Sequence, residues 1–297
     1  MTDANLGGSG AGTSGKVAPG PVSPRDFRGE AAGGGAAAPA RWEAPPAGAS
    51  GGGALVTLAV PSFNQGRFLD AALTSIFQQE VPVEVFVLDG GSQDQSQEVI
   101  QRWAPRLAGW RSHPDEGQAA AINEGIARGR APYVGWLNSD DWLLPGGLAR
   151  LTQALAGLPD APAVYGRAWN VDDDTRRRSA VWVEPFDERR LARRCIISQP
   201  ATLIRRSAWA AVGGVDPALH MAMDYDLWWR LYRRMGPLAF VDAFVAVNRR
   251  HPDTKTQSQR RRHYAEAIGV VRRHHGSVPL KWWLAQPYAV WFKSLVR

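Results

Sequence analysis

The 297-residue sequence predicts an α/β fold: a mostly parallel sheet flanked by helices, an unstructured N-terminal tail, and a basic, aromatic C-terminal helical extension. Three observations carry that prediction. Short apolar runs rich in β-branched residues alternate with amphipathic stretches from Leu55 to Asn138, the pattern of parallel strands joined by crossover helices. Gly, Ala, Pro and Ser fill 36 of the first 53 positions, leaving too little apolar side chain to offset the entropy of ordering them. Residues 236–297 hold eleven Lys/Arg against three Asp/Glu, so this end alone more than accounts for the net charge of +7.

Residues 1–53 are therefore read as the tail, 54–256 as the folded domain and 257–297 as the extension. LVTLAV (55–60) is the first strand, closed by Pro61-Ser62. A helix from Arg67 to Gln79 places Phe68, Ala72, Ile76 and Phe77 on one side. VEVFVLD (83–89) is the second strand, and Ser92 or Asp94 caps a helix over 95–104. WRSH (110–113) is a short third strand, 115–129 a loop running into a helix, and PYVGWLN (132–138) the next strand. Beyond it, 162–170, 179–184 and 198–204 read as strands, 224–235 as a helix, 237–250 as one long strand or two, and 257–274 as a basic helix. The single cysteine, Cys195, excludes an internal disulfide and a cysteine-based metal centre. No secretory signal or uninterrupted 18-residue apolar run is found, so the expected location is the cytoplasm, at the inner face of its membrane if the C-terminus meets lipid.

In parallel sheets, ligands bind outside the carboxyl ends of the strands. PSFNQG, DGGS, PDEGQ and NSDD each follow a candidate strand, so they gather at one rim. NSDD sets two adjacent carboxylates, Asp140 and Asp141, at the end of a buried strand, an arrangement that a hard divalent cation shared with a substrate phosphate relieves. Read alone, a helix-capping turn explains it better, and a tight turn explains DGGS. The joint occurrence shifts the balance.

The order VPSFNQGRFLDAALTSIFQQ, VEVFVLDGGSQDQS and DEGQAAAINEGIARGRAPYVGWLNSDDWLLPGGL resembles the family 2 glycosyltransferases with the GT-A fold, over residues 55–250. The resemblance implies a Rossmann-like, mostly parallel sheet and a nucleotide-diphosphate sugar donor. Pro61, Ser62 and Asn64 would line the nucleotide pocket, Asp89 would touch the base, and Asp115, Gly117 and Gln118 would continue the pocket. Asn138, Ser139, Asp140 and Asp141 occupy the family's Asp-x-Asp metal motif. Its first position is the neutral Asn138, so Asp140 is expected as the main ligand of Mg²⁺ or Mn²⁺. Asn138 and Asp141 are then expected toward the donor. The base position falls on Asp224 in MAMDYDLWWRL, with Asp226 as rival; Asp226 also fits a pair with Arg230 one turn on. In NRRHPDTKTQS, Arg250 and Lys255 are expected at the diphosphate and His251 at the metal, although exposed loop residues would read the same.

The last twenty residues combine Trp282, Trp283, Tyr288, Trp291 and Phe292 with Lys281, Lys293 and Arg297, a composition suited to a bilayer interface, to packing on the domain or to a second copy of the chain. The expected partners are the donor and a saccharide or lipid-linked acceptor, as in cell-surface or exopolysaccharide synthesis, and not nucleic acid. Two other functions remain open: a sugar-phosphate nucleotidyltransferase, whose Gly-rich Arg loop PSFNQGR does not match, and a non-catalytic nucleotide- or anion-binding protein.

Overall fold

A computed structural model describes residues 53–255 and 259–287. Almost all of the expected tail, the 256/257 boundary and the aromatic residues from Tyr288 onward lie outside the described residues.

Nine strands form one mixed sheet. β1 (Val56–Ser62), β2 (Val83–Asp89), β3 (Gly109–Ser112) and β4 (Tyr133–Trp136) are mutually parallel, in the order β3-β2-β1-β4. The helices that return the chain between them are α1 (Gly66–Phe77), α2 (Ser96–Trp103) and α3 (Gln118–Arg128). β1 is buried at every position because both faces are covered. Val56, Leu58 and Val60 pack with Leu69, Leu73 and Ile76 of α1; Ala59 packs with Ile122 and Ile126 of α3. α3 lies so close to the sheet that a Cβ on Gly125 would fall 2.6 Å from a methyl of Leu88 and 2.8 Å from the Ala59 Cβ.

The second half is mixed in strand direction. β5 (Trp142–Leu143), α4 (Gly147–Ala156), β6 (Ala163–Asp172), β7 (Arg178–Ala180), α5 (Glu188–Arg193), β8 (Thr202–Arg205), α6 (Arg206–Val212) and α7 (Met223–Met235) precede β9 (Ala239–Arg250). β8 runs antiparallel to β4 and β6, β5 antiparallel to β9, and β6 parallel to β9. Of the expected 237–250, Ala239–Arg250 form one long strand, which slots between β6 and β5. Two C-terminal helices, α8 (Arg260–His275) and α9 (Leu280–Pro287), lie against α7 and α5 through Val270, Val271 and Trp282.

Candidate active site

The carboxyl ends of β1, β2 and β4 place the predicted loops side by side. β1 continues through Pro61 and Ser62, paired with Leu88 and Asp89 of β2, beyond the point where its pairing with β4 ends at Ala59. The missing N–H of Pro61 therefore interrupts no β4 ladder. Ser62 is buried and its hydroxyl has no hydrogen-bond partner among the described residues. Asn64 takes the left-handed conformation at φ 53°. It locks the first two loops together, its N–H donating to Ser92 Oγ (2.7 Å) and its Oδ1 accepting from the Gln93 N–H (2.9 Å).

Asp89 differs from expectation. Its carboxylate is fully buried and accepts from the N–H groups of Gly91 and Ser92 and the hydroxyls of Ser92 and Ser112. It builds the DGGS turn and has no oxygen facing solvent, because the end of β3 supplies Ser112 where a base was expected. The group facing outward there is Phe63, 61% exposed. A Cβ on Gly90 would sit 3.3 Å from the Phe63 ring and 3.6 Å from Asp115 Oδ1, so an exposed aromatic face, bare backbone and a carboxylate adjoin. Sequence reasoning missed Phe63, although a large aromatic between two rim-loop residues was the available signal. Asp115 pairs with the buried Arg111 (2.9 Å) and accepts from the Gly117 N–H (2.8 Å), and Gly117 needs its freedom at φ 106°.

The NSDD turn is the centre of a side-chain network. Lys255 Nζ donates to Gln118 Oε1 (2.7 Å), Gln118 Nε2 to Asn138 Oδ1 (2.7 Å), and Asn138 Nδ2 to Asp141 Oδ2 (3.1 Å) and Gln199 Oε1 (3.3 Å). Asp141 is buried, and its Oδ1 accepts from the Arg249 N–H (3.0 Å). Burial and then the neighbouring charge of Asp140 push the Asp141 carboxyl well above the usual range, so its charged form is disfavoured beside Asp140. Asp140 is less buried and places Oδ2 3.1 Å from His251 Nε2. Asn138 faces Gln118 and Asp141, not the Asp140–His251 pair.

Arg249, not Arg250, braces this turn. It donates to the Asp140 carbonyl, pairs with Asp173 (2.7 Å), and lies 4.6 Å from the ring centres of both Phe68 and Trp142. Strand alternation sends the neighbouring Arg250 outward beside Asp172, away from the position expected for it. Gln199, which also donates to the Trp136 carbonyl (2.7 Å), is a second bracing residue the sequence did not reveal.

Asp140 and His251 are the donors available to a divalent cation; among the described residues no cluster of three His, Cys, Asp or Glu could hold one. Two protein ligands suit an ion that completes its shell with water and substrate phosphates. The mixed oxygen and nitrogen pair fits Mn²⁺ better than Mg²⁺, whose harder shell takes oxygen.

Asp224 stands in the first turn of α7, half-buried, its Oδ1 accepting the N–H of Tyr225 (2.8 Å). Burial raises its pKa, against the opposing effects of that N–H and of His263. Asp226, by contrast, is fully committed: it binds Arg230 (2.6 Å), His274 (2.8 Å) and Arg273 (3.3 Å). A small cleft lined by Glu116, Gln118, Leu219, His220, Met223 and Lys255 lies beside the start of α7; Gln118 and Lys255 of the NSDD network line it and Asp224 does not. The segment before Asp224 is held by Glu266 of α8, whose Oε2 accepts from the N–H groups of His220 (3.0 Å), Met221 (2.7 Å) and Ala222 (3.1 Å). Sequence reading gave Glu266 no role.

Residues 57–209, just over half of the chain, match the Glycosyl transferase family 2 model, and the chain belongs to that family. It is a glycosyltransferase with the GT-A fold. Among its relatives is a chondroitin synthase of Pasteurella multocida (strain Pm70), 26% identical over 181 residues, which span 60% of this chain and 19% of that synthase. Staphylococcus aureus TarS 1-349 in complex with UDP-GlcNAc superposes with a TM-score of 0.62 at 14% identity, over 79% of this chain and 73% of that one. The mannosyltransferase PcManGT of Pyrobaculum calidifontis, in complex with GDP-Man and Mn²⁺, superposes with a TM-score of 0.58 at 21% identity, over 85% and 75%.

Proposed function

We propose that this chain transfers a sugar, with inversion and with the aid of a divalent metal ion, from a nucleotide-diphosphate sugar to a hydroxyl of a saccharide or lipid-linked acceptor in cell-surface polysaccharide synthesis. The observation that carries the reading is the bonded chain Lys255–Gln118–Asn138–Asp141, with Asp140 and His251 at its edge. It unites residues more than a hundred positions apart at the rim where a parallel sheet takes its ligand. Relatives named for polysaccharide synthesis, and structural neighbours holding UDP-GlcNAc or GDP-Man, support the donor class.

In this reading the base stacks on Phe63, with Asp115 and the bare backbone of Gly90 beside it. Asp140 and His251 would hold the cation, which would supply neutralisation for the leaving diphosphate. Lys255 adds a second positive charge near the same phosphates. Asp224 takes the proton from the acceptor hydroxyl; the new oxygen–carbon bond forms at the anomeric carbon as the bond to the diphosphate breaks on the opposite face. Calorimetric titration of UDP, GDP and dTDP, with and without Mn²⁺, tests the reading. One nucleotide binds at least about tenfold tighter with the metal, and Asp140→Ala removes that gain. Asp224→Asn keeps nucleotide binding and lowers transfer by about 10²–10⁴. Metal-independent binding in the native protein overturns the metal's role, and retained transfer in Asp224→Asn overturns the base.

A further inference from the structure

The C-terminal helix α9 is anchored on one side and bare on the other. Trp282 is buried and donates its indole N–H to the Ala192 carbonyl of α5 (2.8 Å). Leu280, Trp283 and Leu284, spaced i, i+3 and i+4, form a single apolar stripe, 69%, 45% and 67% exposed. A second exposed tryptophan, Trp182 (63%), lies under the Arg194 guanidinium, 4.6 Å from its ring centre. Arg194 and Arg193 in turn stand close enough to Lys281 to reinforce, after desolvation, the lowering of its pKa. The two tryptophans, the two leucines and the three cations therefore belong to one surface built from α5, α9 and the segment between β7 and α5 that carries Trp182.

Apolar residues left in water at this density cost free energy unless something covers them. A protein partner of the usual kind would leave Arg193, Arg194 and Lys281 needing acidic residues opposite. A bilayer carrying anionic headgroups satisfies both parts together: leucine and indole enter the acyl boundary while the cations stay at phosphate level. Among the described residues no helix is long and apolar enough to cross a membrane, so this contact is interfacial. We propose that the α5–α9 face, carried by Trp182, Leu280, Trp283 and Leu284 and rimmed by Arg193, Arg194 and Lys281, seats the protein on an anionic lipid surface.

The test uses the full chain and sedimentation with vesicles of phosphatidylcholine alone or mixed with phosphatidylglycerol. The native protein partitions to the anionic vesicles at least about tenfold more than to the neutral ones, and salt reduces the difference. Leu280→Glu/Leu284→Glu, at two exposed positions that leave folding intact, and separately Arg193→Glu/Arg194→Glu, each lower anionic-vesicle binding by about tenfold or more. Equal sedimentation of native and leucine variants overturns the proposal, since binding would then be carried by charge alone. No binding by the native protein also overturns it. So does a native dimer in light scattering that the leucine variants convert to a monomer, which would make a second copy the occupant. Glycosyl transfer is not measured, so this outcome is independent of the proposed reaction.

Discussion

Asp224 is a carboxylate whose burial disfavours its charged form, and a base must be charged to accept a proton. Its raised pKa therefore places the acid limb of a kcat/KM–pH profile above the ordinary carboxylate range, near 4. Activity falls as pH drops through that raised value, and the profile measured with saturating metal checks it. An acid limb in the ordinary range would argue against Asp224. Phe63 gives a second residue-scale prediction. With its ring exposed, Phe63→Ala leaves the melting temperature unchanged and weakens nucleotide binding by about 1–3 kcal/mol, read by calorimetry. The sequence placed the loops after the strands they follow, but not the direction of individual side chains. Asp89 turned inward because Ser92 and Ser112 supply its hydrogen bonds, and the hydroxyl at 112 belongs to a strand with no visible tie to DGGS in one dimension. Arg249 and Arg250 were indistinguishable by residue type; only the register of β9 against β6 decides which one meets the NSDD turn.

α8 shows how an element remote in sequence acts on the site. Glu266 gathers three consecutive N–H groups just before α7 and is itself held by Arg262 (2.9 Å). Glu266→Ala strands those donors, costs about 1–3 kcal/mol in thermal or denaturant unfolding, and lowers kcat through Asp224 while sparing nucleotide affinity. Glu266→Gln keeps an acceptor oxygen and recovers most of kcat. An equal loss in nucleotide binding would show a general defect instead. Elements with strong periodicity were legible: β1, β2, α1 and α7 fall within a residue or two of their expected limits. β5 was not, because two residues carry no period; its pairing with Ala246 and Val247 is what makes it a strand. α5 and α6 are too short, at six and seven residues, to show a helical stripe, and they are fixed by contacts such as the Asp187 cap and Arg206.

At the scale of the whole molecule, the C-terminal helices are part of the fold. Asp226 joins α7 to α8 through Arg230, His274 and Arg273, and Trp282 joins α9 to α5. Trp282→Ala removes a large buried side chain and its hydrogen bond, costing about 3–5 kcal/mol by chemical denaturation; a change under about 0.5 kcal/mol would mean that α9 does not pack as described. Of the cations counted in residues 236–297, Arg249, Arg262 and Arg273 make ion pairs within the fold and Lys281 stands on the exposed α5–α9 face, a partition that charge counting cannot make. β9 has a consequence for biosynthesis. It enters between β6 and β5, supplies the N–H that fixes Asp141, and leads directly to His251 and Lys255. A ribosome-bound chain lacking this strand has its first four parallel strands in hand but no closed cation turn. On the proposed reading, the emerging polypeptide gains donor turnover only after β9 has been threaded between β6 and β5.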